Sequence, residues 1–104
     1  MTARPMPTLA FTATIIEWRG PAPFFYAPVP PAEAARIKAT ARLASYGWGV
    51  IPVEVVVNGS APFTTSLFPR AGTYLVPLKD SIRRPLRVTA GDTVHVALSV
   101  KPRR

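Results

Sequence analysis

The chain has no cysteine and a single histidine among its 104 residues. Disulfide staples and thiolate metal sites are therefore excluded, and one imidazole with five scattered carboxylates offers no ligand spacing of a known metal centre. Long apolar runs are missing too: none approaches the roughly 20 residues of a membrane-spanning helix. Near the start, Thr8, Thr12 and Thr14 alternate with Leu9, Phe11, Ala13 and Ile15. That is strand periodicity and not the unbroken apolar stretch of a signal peptide. A cytoplasmic address with no membrane partner is the expectation.

Catalytic signatures are equally scarce. Ser45, Ser60, Ser66, Ser81 and Ser99 lie in no nucleophile-elbow context, and His95 falls on the polar face of a strand. Glu17, Glu33, Glu54, Asp80 and Asp92 form no evident acid pair; Glu33 opens a helix and Asp92 follows a turn glycine. No phosphate-cradling glycine loop is present, since Gly47-Trp48-Gly49 is too short and precedes no helix. No catalytic residue, metal ligand or cofactor is assigned, and a non-enzymatic protein is expected.

What is present suffices for a folded domain. Apolar residues make up 48% of the chain and charged residues 17%, proportions unlike those of disordered segments. A domain of this length hides roughly 65% of its unfolded surface, enough for one core. A single domain over 8–100 is expected, with 1–7 and 101–104 as flexible termini.

Period-two patterning dominates. Thr8 to Trp18 reads as one long strand with Leu9, Phe11, Ala13 and Ile15 inward, until Ile16 and Trp18 place apolar bulk on the other face. Such a strand suits a barrel, where it bends or bulges. Pro23 to Val29 is extended, and its prolines make it an edge strand at best. Pro30-Pro31 opens a helix through Leu43 with a thin stripe of Ala34, Ile37, Ala41 and Ala44. Val50 to Val57, the Asn58-Gly59 hairpin signal and Pro62 to Phe68 form a strand pair, with Phe63, Thr65 and Leu67 on one side. Thr73 to Pro77 is a short strand. A short helix over 79–84 is limited by Pro85. Thr93 to Val100 closes the set with Val94, Val96, Leu98 and Val100 inward. The fold class is mainly β with one or two short helices: a small closed or partly open barrel of about six strands.

The net charge of +8 favours anionic partners and says nothing of fold. Two candidate sites follow. Aromatics and cations near element ends, namely Trp18, Arg42, Tyr46, Trp48, Arg70 and Lys79, suit an anionic small ligand or acidic partner at a barrel end. Arg83, Arg84, Arg87, Lys101, Arg103 and Arg104 suit a nucleic acid. Against both stands the plainer reading that the tryptophans plug the core and the cations only solvate the surface.

Tyr46-Gly47-Trp48-Gly49-Val50-Ile51-Pro52-Val53, Asn58-Gly59, Phe63 to Pro69, Gly72 to Pro77 and Gly91-Asp92-Thr93-Val94 form an ordered series. With Phe11-Thr12-Ala13, Trp18 and Val29-Pro30-Pro31, it resembles the bacterial family catalogued as domain of unknown function nineteen-oh-five, over about residues 9 to 100. The resemblance implies a double-split β-barrel, AbrB-like in shape. Some relatives are fused to a bacteriocin-protection (YdeI/OmpD-associated) domain. It brings no agreed activity and no site residues; the likeness to AbrB-like DNA-binding proteins is one of shape alone. Pro85 and the short 86–90 link depart from the family's helix-then-loop pattern.

Overall fold

The computed structural model describes residues 8–18, 24–43 and 51–101, with 42 and 43 described through their backbone alone. Along the chain these form β1 (Thr8–Thr14), β2 (Ile16–Trp18), β3 (Phe24–Pro28), α1 (Pro31–Leu43), β4 (Ile51–Val57), β5 (Phe63–Arg70), β6 (Thr73–Pro77), α2 (Asp80–Leu86) and β7 (Thr93–Val100). The strands join in the order β1-β7-β4-β5-β6-β3-β2, and all pairings are antiparallel.

The two ends of that order, β1 and β2, are consecutive stretches of chain with only Ile15 between them. The sheet thus rolls back to its own beginning as a nearly closed barrel, as the alternating pattern implied. Seven strands stand where about six were expected, because the long first strand divides at Ile15. There the chain leaves β7 and takes up β3. The Ile15 N–H donates to the Asp92 carbonyl at 2.9 Å and its carbonyl accepts from the Gly91 N–H at 2.8 Å. Gly91 has φ of +92°, a conformation that glycine adopts at no steric cost. The side chain of Ile15 is 1% exposed, so the corner is pinned by both backbone and core.

A second exchange occurs in β5, whose first residues pair with β4 and whose last, Phe68 to Arg70, pair with β6. These two corners divide the barrel into sheet I (β1, β7, β4, start of β5) and sheet II (β2, β3, β6, end of β5). The core lies between them: Leu9, Ala13 and Ile15 meet Val94, Val96, Leu98, Ile51, Val53, Val55, Ala27 and Val76. Among the described residues no polar side chain is buried.

Helix α1 begins with Pro31 at a position where its absent N–H goes unmissed, and the Pro30 carbonyl accepts from the Ala34 N–H at 2.9 Å. Ala34, Ile37 and Ala41 are buried, so the thin stripe packs on the core, against β6 and β7. The fourth member, Ala44, lies outside the described residues.

Two expectations need correction. Strand β3 is no edge; it bonds to β2 on one side and β6 on the other. Pro21 and Pro23 precede it and Pro28 is its last residue, so the prolines do not interrupt the ladder. Helix α2 also runs past Pro85 to Leu86. A proline late in a seven-residue helix forfeits one backbone bond. The helix then ends on Arg87 at φ +57°, whose N–H bonds to Arg84 O while the Val88 N–H reaches Arg83 O. That six-to-one bond is a Schellman closure on a residue other than glycine.

The hairpin turns follow the same left-handed chemistry. Asn58-Gly59 has φ of +50° and +73°, and Ala71-Gly72 has +51° and +80°. Both positions of a type I′ turn require positive φ, so Ala71 carries strain that Asn58 largely escapes.

Candidate functional site: the aromatic outer face

Register decides what sheet II shows to solvent. Trp18 lies opposite Phe24, Ile16 opposite Tyr26, Tyr26 opposite Pro77, Phe68 opposite Leu75 and Arg70 opposite Thr73. Residues directly opposite share a face. Because Ala27 and Val76 point into the core, these residues point out. The outer face of sheet II is therefore aromatic. Trp18 is 41% exposed, Phe24 54% and Phe68 49%. Tyr26 and Phe68 stack with ring centroids 5.8 Å apart.

Beneath them Leu75 is 3% exposed although it points away from the barrel and belongs to no part of the core cluster. Its register partners are Pro28 of β3 and Phe68 of β5. The Arg70 guanidinium sits 3.8 Å from the centroid of the Trp18 ring. Their strands, β5 and β2, are three places apart, about 14 Å at ordinary strand spacing. Arg70 and Trp18 thus reach toward one another across the face, forming a cation–π pair.

Cations border this face. Lys38 of α1 and Arg70 line a hollow of about 250 Å³ beside the Ala71-Gly72 turn. At the opposite rim, Phe24, Phe25, Tyr26, Lys79, Asp80 and Arg83 are among the residues lining a cleft of about 280 Å³. Arg83 is fixed there: its Nε donates to Leu78 O at 3.2 Å, its guanidinium bonds the Asp80 carboxylate, and its Cζ lies 3.6 Å over the Phe25 ring. Asp80 is also 3.7 Å from the exposed Arg84. Among the described residues no carboxylate occupies an outward position of sheet II. The Tyr74 hydroxyl, on the inner side of β6, has its pKa raised by burial.

Sheet I is the opposite in character. Its outward register is Thr8, Ser99, Glu54 and Thr64, then Ala10, Ala97 and Val56, then Thr12 and His95, then Thr14 and Thr93. Ala10, Thr12, Val56, Gly59, His95 and Ala97 floor a depression of about 390 Å³. The His95 side chain is exposed; its backbone is clamped by Asn58, whose N–H donates to His95 O at 2.8 Å and whose Oδ1 accepts from the His95 N–H at 2.8 Å.

Of the expected ligand residues, Trp18 and Arg70 are in contact and Lys79 stands at the rim of the same sheet. Trp18 is no core plug. Tyr46, Trp48 and the Arg42 side chain lie outside the described residues, as do Arg103 and Arg104. Of the nucleic-acid candidates, Arg83 is committed to Leu78, Asp80 and Phe25, while Arg84, Arg87 and Lys101 are exposed. Phe24, Tyr26 and Phe68 were missed as site residues. Their signal was the outward parity shared with Ile16 and Trp18. Strand alternation fixes which residues share a face, but pairing partners are needed to assemble them into one.

Fold and face together define a small, nearly closed antiparallel barrel with one aromatic outer sheet. A family model described as Domain of unknown function (DUF1905) matches residues 11–98, and the chain belongs to that family. A search of curated proteins finds no match. Among the described residues no helix is long and apolar enough to cross a membrane, and no group of three or more His, Asp or Glu side chains could hold a metal.

Proposed function

We propose that this protein is a non-enzymatic binding module that takes an anionic ligand or acidic partner on the outer face of sheet II. One observation carries the reading: the Arg70 guanidinium lies over an exposed tryptophan on a face that also exposes Phe24 and Phe68. Large aromatics gathered on one exposed patch mark interaction sites more often than solvated surface. Net charge of +8 draws anions toward it. A hydrolytic or transfer chemistry finds less support, since His95 is exposed on sheet I with Thr12, not a carboxylate, as its register partner. Duplex binding through the 79–87 segment is likewise less favoured, because Arg83 is already engaged.

The test uses a Trp48→Phe background, which leaves Trp18 as the single indole. Nucleotides, single-stranded oligonucleotides, polyphosphates and acidic peptides are titrated while indole emission is followed. Saturable quenching by at least one of them, abolished in Arg70→Ala, is expected. Silence across the whole panel overturns the reading.

A further inference from the structure

We infer that the ligand class is single-stranded nucleic acid, its bases stacked on Trp18, Phe24 and Phe68 and its backbone neutralised by Arg70 and Lys79; this rests on the binding-module reading above. Three features separate it from other anions. Bare phosphates have no use for exposed rings, yet sheet II exposes three of them. Bases do, because each has a π-face that an aromatic side chain can stack on without regard to sequence.

The rings are also spaced for successive bases. Trp18 and Phe24 form a direct cross-strand pair, with Cβ atoms about 5 Å apart. Tyr26 follows Phe24 two residues along β3, about 7 Å further on, and stacks on Phe68. The platform therefore runs obliquely from β2 to β5, across four strands. A strand of nucleic acid following it would pass Arg70, whose guanidinium already stands 3.8 Å from the Trp18 ring centroid, beside the platform and in reach of a phosphate next to a stacked base.

Charge points the same way. Among the described residues, sheet II presents Arg70 and no outward carboxylate within its strands, with Lys38 at one rim and Lys79 beside Asp80 at the other, whereas the strands of sheet I present Glu54, with Lys101 just past β7 at their margin. A protein segment is the rival occupant, because aromatics and arginine are also enriched at protein interfaces, and competition by the acidic peptide below separates the two. A duplex fits poorly because its bases are already stacked on one another.

Fluorescence anisotropy with a labelled oligothymidylate of about 12 nucleotides tests this, with the same-length duplex, a polyphosphate and an acidic peptide as competitors. The single strand is expected to bind and the duplex to compete weakly. Trp18→Ala and Phe24→Ser, both at exposed positions, are each expected to weaken binding about tenfold or more while the thermal midpoint stays put. Arg70→Ala is expected to reduce the log–log salt slope by about 0.7 for each phosphate that Arg70 neutralises. Equal competition by polyphosphate, or affinity indifferent to Trp18→Ala and Phe24→Ser, overturns the nucleic-acid inference and leaves the anion-binding module standing. Binding of the acidic peptide alone does the same. Absence of binding by every probe removes both.

Discussion

Sheets I and II line the same core with the same inward alternation, yet their outer faces have nothing in common. Sheet I covers itself mostly with Thr, Ser and Ala, joined by Glu54, Val56 and His95 and by no large aromatic ring. Its neighbours interact by small local bonds, such as the Thr8 hydroxyl 2.9 Å from Ser99 Oγ. Sheet II exposes large rings, Trp18, Phe24 and Phe68, and buries the outward-parity Leu75. A barrel needs only its inner face to fold; what it wears outside is unconstrained by closure. An aromatic exterior on one half is therefore a feature that stability of the barrel alone does not demand.

The sharpest way to break this contrast is to shorten an outward residue in each sheet. Leu75→Ala is expected to cost about 2–4 kcal/mol, as for a core leucine, because its side chain is buried although it lies on the outward side of sheet II. Val56→Ala, outward on sheet I and half-buried, is expected to cost under about 1 kcal/mol. Urea melts of both variants measure the difference; equal losses would show that Leu75 is no more interior than Val56.

Sheet I has one specific weak point of its own. Asn58→Ala removes the acceptor for the His95 N–H and places a Cβ-bearing residue without polar compensation at φ +50°. A loss of about 1–2 kcal/mol is expected. Asn58→Gly relieves the strain but does not restore the bond, so it should fall between wild type and Asn58→Ala in the same melts.

Smaller effects of the opposite sign belong to the turn and helix end that border sheet II. Ala71→Gly and Arg87→Gly each remove a left-handed residue other than glycine, and each is expected to stabilise by about 0.5–1 kcal/mol. Calorimetry should register a rise of a few degrees in Tm for each. A fall at Arg87 would reveal a side-chain interaction that outweighs backbone strain.

The smallest effect appears only at alkaline pH. Burial raises the Tyr74 pKa, so the folded protein binds this proton more tightly than the unfolded chain. The sign follows from that: its contribution is fully present below the unfolded tyrosine pKa of about 10 and disappears as pH rises through the higher folded value. This contribution should thus be level through neutral pH and decline above about pH 10, and Tyr74→Phe should blunt that decline. Difference absorbance of ionising tyrosine, compared with that variant, measures the shift.

Much of sheet I was legible directly. Val94, Val96, Leu98 and Val100 alternate without exception, and Asn58-Gly59 announces its hairpin, because both signals are local. Sheet II was harder. Phe24-Phe25-Tyr26 gives no alternation of hydrophobicity, since its outward rings are as apolar as its inward ones. Its flanking prolines also argued for an edge that pairing on both sides overruled. Pro85 misled in the same way: packing of Ile82, Leu86 and Val88 against the core carries α2 farther than local propensity allows.

By itself, then, the order of residues settled a cysteine-free, basic, strand-rich chain with a fixed set of inward side chains, because alternation and turn chemistry act over neighbours. Only the tertiary structure decided that residues 8–18 serve two sheets, that the resulting closure makes β3 an inner strand, and that Arg70 and Trp18 meet. Those outcomes join residues about fifty or more positions apart, and backbone pairing across the barrel, which no local pattern encodes, is what brings them together.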